Sequence, residues 1–399
     1  MVGDITLPAS KSISNRMLII NSLSYSPFEI DNLSDSDDTK VLIEVLNSNT
    51  NHFDVGHAGT AMRFLTAFLS KIAGEWTLTG SERMRQRPVG ILVDALRKLG
   101  ASIEYLGNEG FPPLRIFGTA LKGGVIELDG SVSSQYISAL LMIAPTLQGG
   151  LKLKLLNRIT SKPYIELTLQ LMKVFGVYHT WAGNEILISE QSYHPMKFSV
   201  EADWSAASYW YAMAALSDEC ELLIKGLRLH SIQGDSVQPE WFMKYFGVQS
   251  IQSGNDVLLT KNYSPAPKIL ELDFIENPDI AQTFAVLAVC KKIPFLFNGL
   301  STLKIKETDR ILALKTELSK FGAVITEPQP GELAWKGEIE NNFVYHPTVI
   351  ETYHDHRMAL AFAPAAMIYR EVIIGDPVVI TKSYPGYWDD LKKVGFMIS

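Results

Sequence analysis

The chain has 399 residues, 47% hydrophobic and 20% charged, with a formal net charge of −7. This composition excludes a disordered polyelectrolyte and argues against a general binder of nucleic acid or anionic membrane, but it leaves room for a local cationic pocket. Two cysteines, Cys220 and Cys290, give neither a disulfide framework nor zinc spacing and fit a reducing cytoplasm.

In chain order, MVGDITLPAS lacks the basic and apolar regions of a signal peptide, so none is expected. Ile5 to Leu7 predicts a strand that Pro8 breaks, and Ser10 or Ser12 is a natural N-cap for the helix that follows. Arg16 then falls one turn beyond Ser12 on the same face. Free amides, hydroxyls, Lys11 and Arg16 could together receive an anion; a solvated basic helix start fits the same letters.

"GHAGTAMR" (56 to 63) offers glycines and a helix start for close approach to an oxyanion. Arg83, Arg85 and Arg87 alternate in "RMRQRPV", so an extended segment would point all three the same way. "GSVSSQY" (130 to 136) and "ITSKPY" (159 to 164) are hydroxyl-rich turns suited to phosphate. "KIKETDR" (304 to 310) and "TYHDHRM" (352 to 358) mix cations with acids, and "TKSYPGY" (381 to 387) puts Lys382 beside a turn. Singly, each also reads as a cap or a surface ion-pair ladder. His354, Asp355 and His356 resemble metal ligands, but neighbours in sequence point apart and no third cluster completes a site. The longest apolar run, Met358 to Tyr369, spans 12 residues; it is too short to cross a bilayer and predicts a core helix.

Five segments share one pattern: "LRKLGAS", "LMKVFGV", "FMKYFGV", "LSKFGAV" and "LKKVGFM", with glycines at 100, 176, 247, 322 and 395. Each is an apolar helix end with a lysine just before a glycine, which suits a C′ position of positive φ and a cation on the helix C-terminus. Their near-constant spacing implies a structural repeat, with "VLIEVLNSN" (41 to 49) as a degraded copy. Short β-branched stretches such as "GVIELDG" and "EILIS" alternate with helical ones such as "SSQYISALLMIAP" and "IAQTFAVLAVC". The chain is therefore α/β, built from similar units. It has neither a GxGxxG after a strand nor a GxxxxGK[ST] loop.

"LPASKSISNR", "GHAGTAMR", "RMRQRPVGILVDALRKLGA", "DGSVSSQYISALLMIAP", "SKPYIELTLQLMKVFGV", "KETDRI" and "YHDHRMALAF" occur in that order. From residue 4 to about 395 the chain thereby resembles the EPSP synthase family of enolpyruvyl transferases. The resemblance implies two lobes of three βαβαββ repeats each, with a site in the inter-lobe cleft that closes on shikimate 3-phosphate. It assigns 11–203 to the N-terminal lobe, and 1–10 with 204–399 to the C-terminal lobe.

The activity implied is transfer of the enolpyruvyl group of phosphoenolpyruvate to the 5-hydroxyl of shikimate 3-phosphate. By resemblance Ser12 and Arg16 hold the shikimate carboxylate, while Ser133, Ser134, Ser161 and Lys306 serve its phosphate. Gln135 and Tyr164 lie beside the ring. Lys11, Gly59, Arg87, Arg310, Arg357 and Lys382 match the phosphoenolpyruvate site. Asp279 and Glu307 occupy the carboxylate positions, Asp279 to take the hydroxyl proton and Glu307 to protonate C3, with Lys11 as a rival for proton transfer. His57 and Thr302 stand where the family usually has asparagine. Gly59 lacks the bulk that usually excludes glyphosate, so sensitivity is expected.

No metal and no organic cofactor is implied; the partners are the two small molecules, with no nucleic acid and no membrane, and the expected protein is a cytoplasmic monomer. Two rivals share the fold. The sister transferase acting on UDP-N-acetylglucosamine typically uses a loop cysteine between its second and third units, and no cysteine precedes Cys220 here. A catalytically silent binding protein would fit His57 and Thr302 but not the retained acids and cations.

Overall fold

A computed structural model describes residues 1–340 and 343–399 of the chain. They form two units, one of Ser10–Val200 and the other of Met1–Ala9 with Glu201–Ser399. The fold is the expected mixed α/β one.

In the Ser10–Val200 unit, one four-stranded sheet runs His52–Asp54, Gly74–Thr79, Leu114–Gly118, Ser102–Tyr105. The first pair is parallel and the other two are antiparallel. Parallel neighbours need a crossover, and the helix Gly59–Leu69 supplies it. A second sheet repeats the plan with Lys122–Asp129, Gln148–Leu156, Glu185–Ile188 and Thr180–Ala182, crossed over by Ser134–Ile143. Ile30–Asp31 and Phe198–Ser199 make a reduced third copy, a single parallel pair.

The other unit follows the same scheme. Val2–Thr6 pairs parallel with Glu221–Lys225, which continues antiparallel to Asp256–Lys261 and then Val248–Ser253. Leu270–Asp273, Phe295–Asn298 and Leu333–Trp335 form the next sheet, and Val349–Ile350 with Ile373–Ile374 the reduced copy.

Within each repeat the first helix is the buried one. Ala281–Cys290 is buried at all ten positions and His356–Phe362 at all seven, while Trp204–Leu216 is buried nearly all round. Such helices carry no polar face because they have no solvent face to cover. The second helices are amphipathic, and the five repeated glycines end them with positive φ: 96° at Gly100, 81° at Gly176, 68° at Gly247, 79° at Gly322 and 99° at Gly395. The degraded copy is the helix Asp37–Asn47, which ends without a glycine on Ser48.

Two local readings need correcting. The apolar run Met358 to Tyr369 is not one helix: Pro364 lacks the amide a helix interior needs, and the run divides into His356–Phe362, a 3₁₀ turn at Ala363–Ala365, and Ala366–Tyr369. Nor is "RMRQR" extended. Met84–Gln86 is a 3₁₀ turn, so the arginines splay; Arg83 and Arg85 are exposed and Arg87 alone is buried. No described helix is long and apolar enough to cross a membrane.

Candidate functional site

Many of the residues singled out by sequence lie at or near the starts of helices. In the Ser10–Val200 unit, Ser10 caps the helix Lys11–Leu23 by accepting from the Ile13 amide, leaving Lys11 and Ser12 as its first residues. Lys11 Nζ lies 3.7 Å from Asp38. One turn on, Arg16 is buried and donates to the Ser12 carbonyl (2.8 Å), Thr168 Oγ1 (2.7 Å), Ser138 Oγ (3.1 Å) and the Tyr164 carbonyl (3.3 Å). These partners are neutral. Burial accordingly lowers the Arg16 guanidinium to about 10, with Tyr164 the opposing influence. A buried cation among neutral dipoles is a receptor for an anion.

Gly59 opens its helix against Arg87. A Cβ on Gly59 would stand 2.7 Å from Arg87 Nη1, so only a bare backbone admits the guanidinium. Arg63 fixes this corner by donating to the Gly59 carbonyl (3.2 Å) and the Pro88 carbonyl (3.0 Å). Tyr136 Oη also donates to Pro88 O, at 2.5 Å. His57 is exposed, with Nδ1 3.0 Å from Ser81 Oγ. Ser133 caps the helix Ser134–Ile143, and Gln135 Nε2 donates to Thr60 Oγ1 at 3.2 Å. Ser161, buried and left-handed at φ 53°, precedes the helix Lys162–Val174 that carries Tyr164; such a backbone is costly for a residue with a Cβ.

In the other unit the expected residues form one ionic network. Arg310 begins the helix Arg310–Ser319, which Asp309 caps. Its guanidinium forks onto Asp355 through Nε (2.6 Å) and Nη2 (3.2 Å), and also reaches Asp279 (2.9 Å) and Glu307 (3.0 Å). Lys306 lies 3.4 Å from Asp279, and so does Arg357 Nη2. Lys382 Nζ donates to Glu307 at 2.8 Å. Burial raises the Asp279 carboxyl, but Lys306, Arg357 and Arg310 outweigh it and hold the group well below the carboxylate range. Lys306 is lowered, burial being the chief cause and Asp279 the opposing one. Thr302 lies in the turn before Lys306, and its buried hydroxyl finds no hydrogen-bond partner among the described residues.

Sequence reasoning set Asp355 aside as a poor metal ligand, yet it is fully buried, grips Arg310 and caps the helix His356–Phe362 by accepting from the Arg357 amide at 2.9 Å. An acid directly before a helix-initial "HRM" carried that signal. Asp235 had none: it is buried beside Ser205 and Asn277, accepting from Asn277 at 3.1 Å. Burial raises it against the hydrogen bond from Ser205 and the charge of Arg357. Among the described residues no group of three or more His, Cys, Asp or Glu could hold a metal ion.

Comparison with known proteins identifies relatives of the chain. A profile of the family described as EPSP synthase (3-phosphoshikimate 1-carboxyvinyltransferase) matches residues 1–49 and 46–391. A 3-phosphoshikimate 1-carboxyvinyltransferase of Bacteroides fragilis (strain YCH46) is 54% identical over 396 residues, covering 99% of this chain and 95% of its own. One of Vibrio atlanticus (strain LGP32) is 37% identical over 425 residues, covering 98% and 96%. A solved EPSP synthase of Acinetobacter baumannii superposes with a TM-score of 0.77 at 19% identity, over 100% of this chain and 96% of that one, a likeness of fold.

Proposed function

The chain belongs to the EPSP synthase (3-phosphoshikimate 1-carboxyvinyltransferase) family, and from that premise we propose how its residues divide the work. The reaction transfers the enolpyruvyl group of phosphoenolpyruvate to the 5-hydroxyl of shikimate 3-phosphate and releases phosphate, a step of the shikimate route to aromatic amino acids. In the first stage the hydroxyl oxygen attacks C2 while C3 gains a proton. In the second the tetrahedral adduct loses a C3 proton and phosphate.

Arg16 and Ser12 take the shikimate carboxylate. Ser133, Ser134, Ser161 and Lys306 take its phosphate, with Gln135 and Tyr164 beside the ring and Thr302 in the shell that binds this substrate. Arg87, Arg310, Arg357, Lys382 and Lys11 hold phosphoenolpyruvate, close to Gly59 and His57. One observation carries the reading: the cations assigned to the substrates are the ones now neutralising Asp279 and Glu307. Two anionic substrates would draw Lys306, Arg310, Arg357 and Lys382 away from the two acids. Each carboxylate then loses its counter-charge and its proton affinity rises. Asp279 becomes able to accept the hydroxyl proton, and Glu307 to carry the proton delivered to C3. Lys11 is the rival donor.

The preorganised cations offset the charge that develops, so the scheme calls on no metal or organic cofactor. Its partners are the two small molecules, and the proposal takes the chain as a cytoplasmic monomer. Phosphate release from a mixture of shikimate 3-phosphate and phosphoenolpyruvate tests it. Release should require both. No release at micromolar enzyme would leave a silent binder, and release with UDP-N-acetylglucosamine instead would favour the sister transferase.

A further inference from the structure

We propose that Glu317 and Tyr353 are positioning residues: they clasp the turn before Asp355 and thereby set the placement of Arg357. Resting on the assignment of Arg357 to phosphoenolpyruvate, the inference adds two residues that the family resemblance did not assign.

The helix Arg310–Ser319 grips the segment 349–355 at two points. At its start Arg310 forks onto Asp355. Two turns later, on the same face, Glu317 is fully buried. Its carboxylate accepts from Tyr353 Oη at 2.7 Å, the Glu351 amide at 2.9 Å and Lys320 Nζ at 2.7 Å. Lys320 Nζ also donates to the Val349 carbonyl at 2.8 Å. Between the two anchors Tyr353 and His354 are both left-handed, with φ of 54° and 56°. Two successive residues with side chains rarely adopt that backbone, and it persists only where the surroundings enforce it.

The turn is thus held from both ends, and Asp355 leads directly into the helix start that carries Arg357. If the upstream anchor is cut, the turn can relax toward ordinary φ, and the strain is released into Asp355, His356 and Arg357. Glu317 and Tyr353 touch none of the reacting groups in this scheme. They act through the backbone. His354 has an exposed side chain 3.5 Å from Asp376, so its identity can be changed without disturbing the network.

Steady-state kinetics with thermal melts on Tyr353→Phe test the clasp, because Tyr353 is 37% exposed and the change removes one hydroxyl. The expected result is a rise of about tenfold in KM for phosphoenolpyruvate, with KM for shikimate 3-phosphate within about twofold. Adding His354→Gly relieves one of the two left-handed residues, and it should bring KM back to within about threefold of wild type. His354→Gly alone should match wild type. Hydrogen exchange over 349–358, which needs no substrate, should quicken in Tyr353→Phe and slow again in the double variant. Unchanged KM and exchange in Tyr353→Phe, or a loss that glycine fails to recover, overturns the clasp. A wild-type protein that releases no phosphate overturns the assigned function instead, while the exchange experiment still decides the clasp.

Discussion

Asp279 lies within 3.4 Å of three cations, yet the proposed chemistry asks it to act as a base. Asparagine at this position keeps the shape and removes the proton acceptor, so Asp279→Asn should lower kcat by about 10²–10⁴-fold. Affinity for shikimate 3-phosphate should fall far less; a variant within about threefold of wild type in kcat would remove Asp279 from the mechanism. Gly59→Ala probes the other unit, since its methyl would push the Arg87 guanidinium aside. The displaced atoms are the end of a flexible side chain, so the expected outcome is a KM for phosphoenolpyruvate about tenfold higher with little change in melting temperature. Glyphosate should inhibit wild type in competition with phosphoenolpyruvate, and the alanine variant less. His57 brings a titratable ring to the residues assigned to phosphoenolpyruvate. A histidine ordinarily titrates near pH 6.5, and a phosphate dianion favours its charged form. KM for phosphoenolpyruvate should therefore climb from about pH 6 to 8 more steeply in wild type than in His57→Asn. Matching curves would make the imidazole a neutral replacement.

At the scale of elements, the lysine–glycine helix ends were readable because one requirement, a positive φ after a helix, leaves one favoured letter. Their cost of replacement differs with surroundings. An alanine at Gly100 meets nothing within 4 Å, whereas at Gly247 its Cβ would be 2.4 Å from the Asn262 carbonyl oxygen. Gly100→Ala should cost about 1–2 kcal/mol in backbone strain. Gly247→Ala should cost about 1–3 kcal/mol beyond that, because a backbone atom must move. Urea midpoints of the two variants, measured together, check the order. The arginines of "RMRQR" were misread for the opposite reason: alternation implies a shared face only in an extended chain, and three residues of 3₁₀ turn dissolve it. Asp355 was underread because only its cap left a local pattern, while the arginine it holds lies 45 residues away.

Over the whole molecule, the repeat was legible while the pairing of its pieces was not. The resemblance grouped 1–10 with 204–399, but nothing in "VGDIT" itself announces that Val2–Thr6 joins a strand at Glu221–Lys225, because parallel partners can be any distance apart in sequence. Ile5 and Leu7 are buried in the core of the unit that contains 201–399. Ile5→Ala should destabilise that unit by about 2–4 kcal/mol. Hydrogen exchange should quicken through 201–399 while 10–200 keeps its protection, and equal loss in both would contradict the division.

That strand also fixes an order of events during synthesis. Val2–Thr6 leaves the ribosome more than two hundred residues ahead of its partner, on the order of 10–45 s at ~5–20 residues per second. In that interval residues 10–200 are all present and can complete their own sheets, while the leading strand waits unpaired. A waiting unpaired strand invites the wrong neighbour. Asp4, in its middle, is a charge that discourages one, and it is neutralised when Lys225 arrives to bond it. The newborn chain thus carries a guard on this strand, and the guard is relieved by a lysine of the strand it belongs beside.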